Sequence, residues 1–297
     1  MGRRIAKALT PYALALPAAL LVGVFAYGVG SGVLQGFGVM PFLGMTEPTL
    51  EYVRAALTRP DLASSVAYSV YLSLVSALIA LVGGVALAAA LTCLRAGGAT
   101  RLATLQLPIM TMHALVALAA AFVFSGSGLA ARVLRVLGLV ETPGDFPSVV
   151  GDPSGWGIIL VYAWKELPYI AFCTVAVMAN VSDSLGDAAA TCGAGRMRTF
   201  FSVTLPLCAP AALRAFLVVF AFALGAYEVP FLLGATAPKA LPVLAYIEFQ
   251  DPDIVNRCYA MALNGIATAL CSLAAAAYFA LLVREGRRNE TKAVRRG

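Results

Sequence analysis

The sequence predicts an all-α integral membrane protein with six transmembrane helices, both termini on the cytoplasmic side, and one long polar loop between the fourth and fifth helices. Three observations carry this. Hydrophobic residues make up 61% of the chain and charged residues 12%, whereas soluble domains sit near half apolar and a quarter charged. Six long stretches are apolar enough to cross a bilayer core of about 30 Å, which takes about 20 residues of helix. Lys and Arg collect in alternate connections between them.

The six stretches are Thr10 to Ser31, Val66 to Thr92, Leu105 to Ser125, Trp156 to Asn180, Pro210 to Leu233 and Tyr259 to Val283. The first follows Arg3, Arg4 and Lys7. Its apolar run exceeds a signal-peptide core and no clear cleavage site follows, so it reads as an uncleaved anchor. With the N-terminus inside, the inner segments hold roughly twice as many Lys and Arg as the outer ones. Acids such as Glu47, Glu51, Asp61, Glu248, Asp251 and Asp253 gather outside. This divides the chain into a cytoplasmic N-terminus (1–9), a six-helix domain (10–283) and a basic cytoplasmic tail (284–297), which is a topology signal and not a nucleic-acid site. The six cysteines lack metal or redox spacing, and Cys in apolar stretches behaves as a small hydrophobe. No metal site is expected.

The inner loop 181–209 is long, and long polar insertions between spans carry function. Ser184 and Asp187 have capping-box spacing, so a helix can start there. Ala188, Ala189 and Ala190 sustain it. Gly193 and Gly195 end it and turn the chain. A second short segment, Met197 to Val203, leads to Leu205-Pro206, and Pro206 and Pro210 are expected to separate the loop from the fifth span. The result is a compact knob suited to a groove on a soluble partner.

Asp187-Ala188-Ala189, then Gly193 after three residues, then Val203-Thr204-Leu205-Pro206 after nine more, resembles the signature of binding-protein-dependent ABC transporter permeases. That signature reads Glu-Ala-Ala, three residues, Gly, nine residues, Ile-x-Leu-Pro. Asp for Glu and Val for Ile are the departures. The resemblance to type I importers of the methionine-importer fold class covers spans 2 to 6, with the first span added before them. It implies a bacterial cytoplasmic-membrane protein, multi-pass, that serves as half of an import pathway. It also implies an ATPase-coupling loop at Asp187, Ala188, Ala189, Gly193, Arg196, Leu205 and Pro206. Its partners would be two ATP-binding subunits holding ATP and Mg, a second permease that is a different chain rather than a copy, and an extracytoplasmic solute-binding protein. The chain itself has no phosphate-binding G-x-x-x-x-G-K-[ST] loop, so it is a transport subunit without a catalytic site and binds no cofactor itself. Short segments, Trp164 to Pro168 and Glu228 to Gly234, look like the polyamine, iron(III) and thiamine branch.

Ionisable groups at membrane depth are candidates for function. Lys165 and Glu166 lie about ten residues into the fourth span, about 15 Å along it, and Pro168 follows. Glu228 lies near the outer end of the fifth span between Gly225 and Pro230, which suits a bent or broken helix near a pathway. A translocation path lined by Glu166, Tyr227 and Glu228 is one reading, and a cation such as a polyamine would suit these carboxylates. An interhelical ion pair, Lys165 with a Glu, is the other. His113, the sole histidine, is expected to bond to a neighbouring helix. Glu141, Asp145 and Asp152 in the loop 126–155 read as a solvated face.

Competing readings are an ion-gradient-driven secondary transporter, an intramembrane enzyme and a scaffold. The first predicts inverted repeats, which are not visible. The second needs a nucleophile with a base or paired aspartates within the spans, and these spans contain no Asp. The third predicts no ATPase partner.

Overall fold

The computed structural model describes residues 2–93, 98–142, 145–146, 149–181 and 191–294. Among them no strand occurs, and six helical stretches are long and apolar enough to cross a membrane: Ala15–Gly36, Leu62–Cys93, His113–Val136, Trp156–Val181, Met197–Gly225 and Asn256–Ala280. The chain forms two compact units.

The first unit comprises residues 1–62 and 244–266. Helix α1 (Gly2–Gly36) ends in a tight turn where Gly38 adopts φ +80°, and a side chain there would meet Thr49 and Tyr52. Met40 and Met45 exchange backbone bonds beyond it, and Thr49 N–H donates to the Phe37 carbonyl at 2.7 Å. The spanning stretch of α1 is exposed from residue 15 to residue 30. An apolar helix exposed all round belongs in lipid or against another membrane chain. Helix α2 (Glu51–Leu57) leads to Arg59. Its guanidinium bonds Glu248 at 2.6 Å, Asp61 at 2.5 Å and the Tyr259 hydroxyl at 3.1 Å. Burial alone would lower the Arg59 pKa, but these bonds outweigh it and raise it.

The second unit comprises residues 63–243 and 267–297. Helix α3 (Leu62–Cys93) presents a stripe of buried small residues, Ser65, Ser69, Ser73, Ser76, Ala77, Ala80, Gly84 and Ala88. The hydroxyls of Ser69, Ser73 and Ser76 donate to carbonyls four residues back, so these three buried hydroxyls are satisfied. Small residues let backbones approach closely in membranes. At Gly84 a Cβ would sit 2.8 Å from the Leu167 carbonyl and from Ile170, so α3 lies directly on helix α7 (Trp156–Val181). More than half of the α7 span is buried, the largest share of any candidate span, which makes it the hub of this unit. Its Tyr162, Ile158 and Val161 join the core with Tyr68, Leu72 and Val229. Ile170 packs with Ala215 and Val219.

The third expected span is not one helix. Helix α4 (Gly98–Met110) stops, Thr111 and Met112 are not helical, and α5 (His113–Phe124) starts afresh, followed by α6 (Leu129–Val136). Pro108 has no N–H to continue the ladder, and Met112 is extended at φ −71°, ψ 139°.

The expected separation of the inner loop from the fifth span is also corrected. Helix α8 (Arg196–Thr199) runs through a π-helical turn, Phe200–Thr204, straight into α9 (Leu205–Gly225). The Leu205 N–H reaches back five residues to the Phe200 carbonyl. A π turn shifts the bonding register, which accommodates Pro206 without ending the helix. The fifth span then breaks as expected near Glu228. Ala226 is extended, and a short helix α10 (Glu228–Leu233) follows. Two further helices follow among the described residues, α11 (Leu241–Phe249), absent from the expectation, and α12 (Asn256–Val294).

Candidate functional site

Lys165 and Glu166 both serve the interruption between α4 and α5. Ending a helix leaves carbonyls without intrahelical donors, and in hydrocarbon no water can satisfy them. Here side chains do so. The Thr111 hydroxyl donates to the Pro108 carbonyl at 2.7 Å. The Lys165 ammonium donates to the carbonyls of Thr111 and, at 3.5 Å, of Ile109. The Met112 carbonyl accepts the N–H of Val116 inside α5. Lys165 is only 4% exposed. A buried ammonium is tolerated when carbonyls replace its water shell.

Glu166 points elsewhere. Its carboxylate meets the His113 ring at 3.0 Å, Oε1 to Nε2. The same ring leans on Phe222, with centroids 4.6 Å apart, and stands 6.4 Å from the Tyr162 ring. The expected bond from His113 to a neighbouring helix therefore exists, with Glu166 as its partner. The expected ion pair of Lys165 with a Glu does not form in these contacts. Neighbours on a helix diverge by about 100°, and the hydrogen bonds of Lys165 run to backbone carbonyls.

Tyr227 and Glu228 sit at the second interruption. Val229, Pro230 and Leu233 bury one side of α10, while Glu228, Phe231 and Leu232 stay exposed in the single chain. Gly151 N–H donates to the Leu233 carbonyl and pins the end of α10. Glu228 occupies the first turn of its helix, where the dipole favours a carboxylate. Among the sequence candidates, the fold places Tyr227 and Glu228 at the break between α9 and α10 and Glu166 beside His113. It assigns Lys165 to the α4 terminus.

In the inner loop, Asp187, Ala188 and Ala189 lie outside the described residues. Thr191 is helical and Gly193 turns at φ +77°, in open space. The chain then enters α8 at Arg196. Met197 is 74% and Phe201 59% exposed, Pro206 is exposed and Leu205 is half-buried. Phe200 packs inward beside Met178 and Cys208. Met197 and Phe201, four apart beside the Gly turn, form an exposed apolar pair that the sequence expectation did not single out.

Residues 101–288, more than half of the chain, match the family described as binding-protein-dependent transport system inner membrane component. The sulfoquinovosyl glycerol transport system permease protein of Agrobacterium fabrum is 28% identical over 127 residues, 42% of this chain and 41% of that one. The molybdenum transport system permease protein of Escherichia coli is 29% identical over 132 residues, 43% of this chain and 58% of that one. The chain thus spans about half the length of these relatives. The sn-glycerol-3-phosphate transport system permease protein of Brucella abortus is 28% identical over 249 residues, 81% of this chain and 83% of that one. A chain of a bacterial alginate ABC transporter, crystallised with an alginate pentasaccharide-bound periplasmic protein, is alike with a TM-score of 0.68 over 91% of this chain and 96% of its own. At 18% identity this is a likeness of fold.

Proposed function

The chain belongs to the binding-protein-dependent transport system inner membrane components, and from that premise we propose that it is one membrane-spanning subunit of an ATP-binding cassette importer. It forms half of the pathway for a small solute handed over by an extracytoplasmic binding protein. ATP and Mg are held by two separate ATP-binding subunits, and a second, different permease chain completes the pore. The chain lies in the bacterial cytoplasmic membrane with both termini cytoplasmic.

One observation carries the coupling role. Just beyond the exposed Gly193 turn, the exposed Met197 and Phe201 lie on a helix that continues from α8 through the π turn into α9, and α9 packs on α7. A push on the loop therefore travels along a continuous helix to the unit's hub. Tagged protein purified gently from native membranes should bring down an ATPase, identified by mass spectrometry. Gly193→Trp forces a bulky side chain into a left-handed backbone and should abolish both ATPase recovery and ATP-dependent uptake in vesicles. Recovery of no ATPase, with uptake intact in Gly193→Trp, would return the protein to gradient-driven transport.

The solute reading is a cation of the polyamine kind. It rests on the exposed Glu228 carboxylate, since Glu166 is engaged by His113. The relatives' names speak of sulfoquinovosyl glycerol, molybdenum and sn-glycerol-3-phosphate, so the charge of the path, not kinship, supports it. Glu228→Gln should lower uptake of a polyamine about tenfold, equivalent to about 1.4 kcal/mol. Unchanged uptake, or uptake of anionic solutes alone, would overturn the cationic reading.

A further inference from the structure

We propose that Lys165 and Glu166 are positioning residues that together hold the interruption at Thr111–Met112 as a joint of the translocation pathway. The inference rests on the transport reading above for its function, but not for its geometry. Two consecutive residues of α7 serve the two sides of one break. Lys165 reaches the carbonyls that end α4, and Glu166 holds His113, the first residue of α5.

Their charges match the ends they serve. A helix C-terminus carries partial negative charge and attracts a cation, and a helix N-terminus favours an anion nearby. Lys165 stands at the C-terminus of α4, and the Glu166 carboxylate stands beside the first turn of α5. Exchanging the two charges would place each against the wrong end. Ionisable groups at this depth are costly, and a break in an apolar span could have been avoided with an uninterrupted apolar helix. The arrangement keeps the break open at a defined place.

The joint also has an exposed side and a mechanical connection. Met110 and Met112, on either side of Thr111, are 81% and 72% exposed in the single chain. Methionine adapts to irregular and changing contacts. On the other side, α7 carries both positioning residues and packs on α9 through Ile170, Ala215 and Val219. Packed elements of this kind transmit displacement between sites. The Gly193 turn, α9, α7 and the joint therefore form one contiguous series.

Hydrogen–deuterium exchange of the purified chain in lipid nanodiscs tests the geometry. Lys165→Met and Glu166→Gln should each speed exchange over residues 109–116 by about tenfold or more. Residues 226–233, at the other break, should exchange as before, and Lys165→Arg should restore protection. Unchanged exchange over 109–116 in both variants overturns the proposal. ATP-dependent uptake, measured with the partner subunits in vesicles, tests the function. Glu166→Gln should retain the ATPase in a pull-down while uptake falls. Faster exchange with full uptake would leave a structural cap and overturn the positioning role. If the unaltered chain recruits no ATPase, the transport reading fails while the exchange result stands on its own.

Discussion

Two spans of the second unit are interrupted, and the ionisable residues stand differently at the two breaks. At Thr111–Met112 the freed carbonyls are taken by side chains, Thr111 locally and Lys165 from α7. The adjoining His113 is held by a half-buried carboxylate. At Ala226–Tyr227 the Ala226 N–H closes α9 on the Phe222 carbonyl and the Phe231 N–H opens α10 on the Tyr227 carbonyl. There backbone bonds flank the break on both sides, and the ionisable residue, Glu228, is exposed. A break that borrows its caps from another helix depends on that helix. At the second break the exposed carboxylate is available to whatever packs there.

The largest effect should come from reversing the sign at the first break. Lys165→Glu sets an anion against helix-terminal carbonyls in an apolar setting and leaves them without donors. Loss of a monodisperse species in detergent gel filtration is expected, and a well-folded variant would show that the cap is dispensable. Next, Glu166→Ala strips His113 of its partner and should cost about 2 kcal/mol, read as a lower Tm. Glu228→Ala, by contrast, should stay within about 0.5 kcal/mol. Equal losses for the two carboxylates would erase the distinction between the breaks.

Packing beneath the second break supplies a smaller test. A side chain at Gly234 would come within 2.3 Å of the Pro230 carbonyl. Gly234→Ala should lower stability by about 1 kcal/mol and speed exchange in α10, leaving residues 109–116 unaffected.

The smallest effect is expected away from both breaks. The Ser154 hydroxyl and backbone N–H bond the Asp152 carboxylate and hold its pKa below the ordinary range. A depressed carboxylate pKa contributes stability above its unfolded value and loses it as pH falls through the folded one. Ser154→Ala should therefore lower Tm slightly at neutral pH, with the difference closing in acid. A difference that persists in acid would assign the effect to packing.

Six apolar stretches, their order and the long loop between the fourth and fifth were legible in the sequence, because crossing a bilayer imposes a length and an apolar composition on each segment. The Gly193 turn and the break near Glu228 were legible too, since Gly and Pro mark where a helix stops. Pro206 was legible but misread, because a π turn can absorb a missing donor. What the sequence could not carry was the break at Thr111–Met112 and the roles of Lys165 and Glu166. Lys165 reaches a carbonyl 54 positions earlier in the chain, and Glu166 meets a histidine 53 positions earlier. Which carbonyl a buried ammonium caps is decided by how helices pack. Only the tertiary structure, by laying α7 across the end of α4 and the start of α5, turned two neighbouring charges into partners for the two sides of one break.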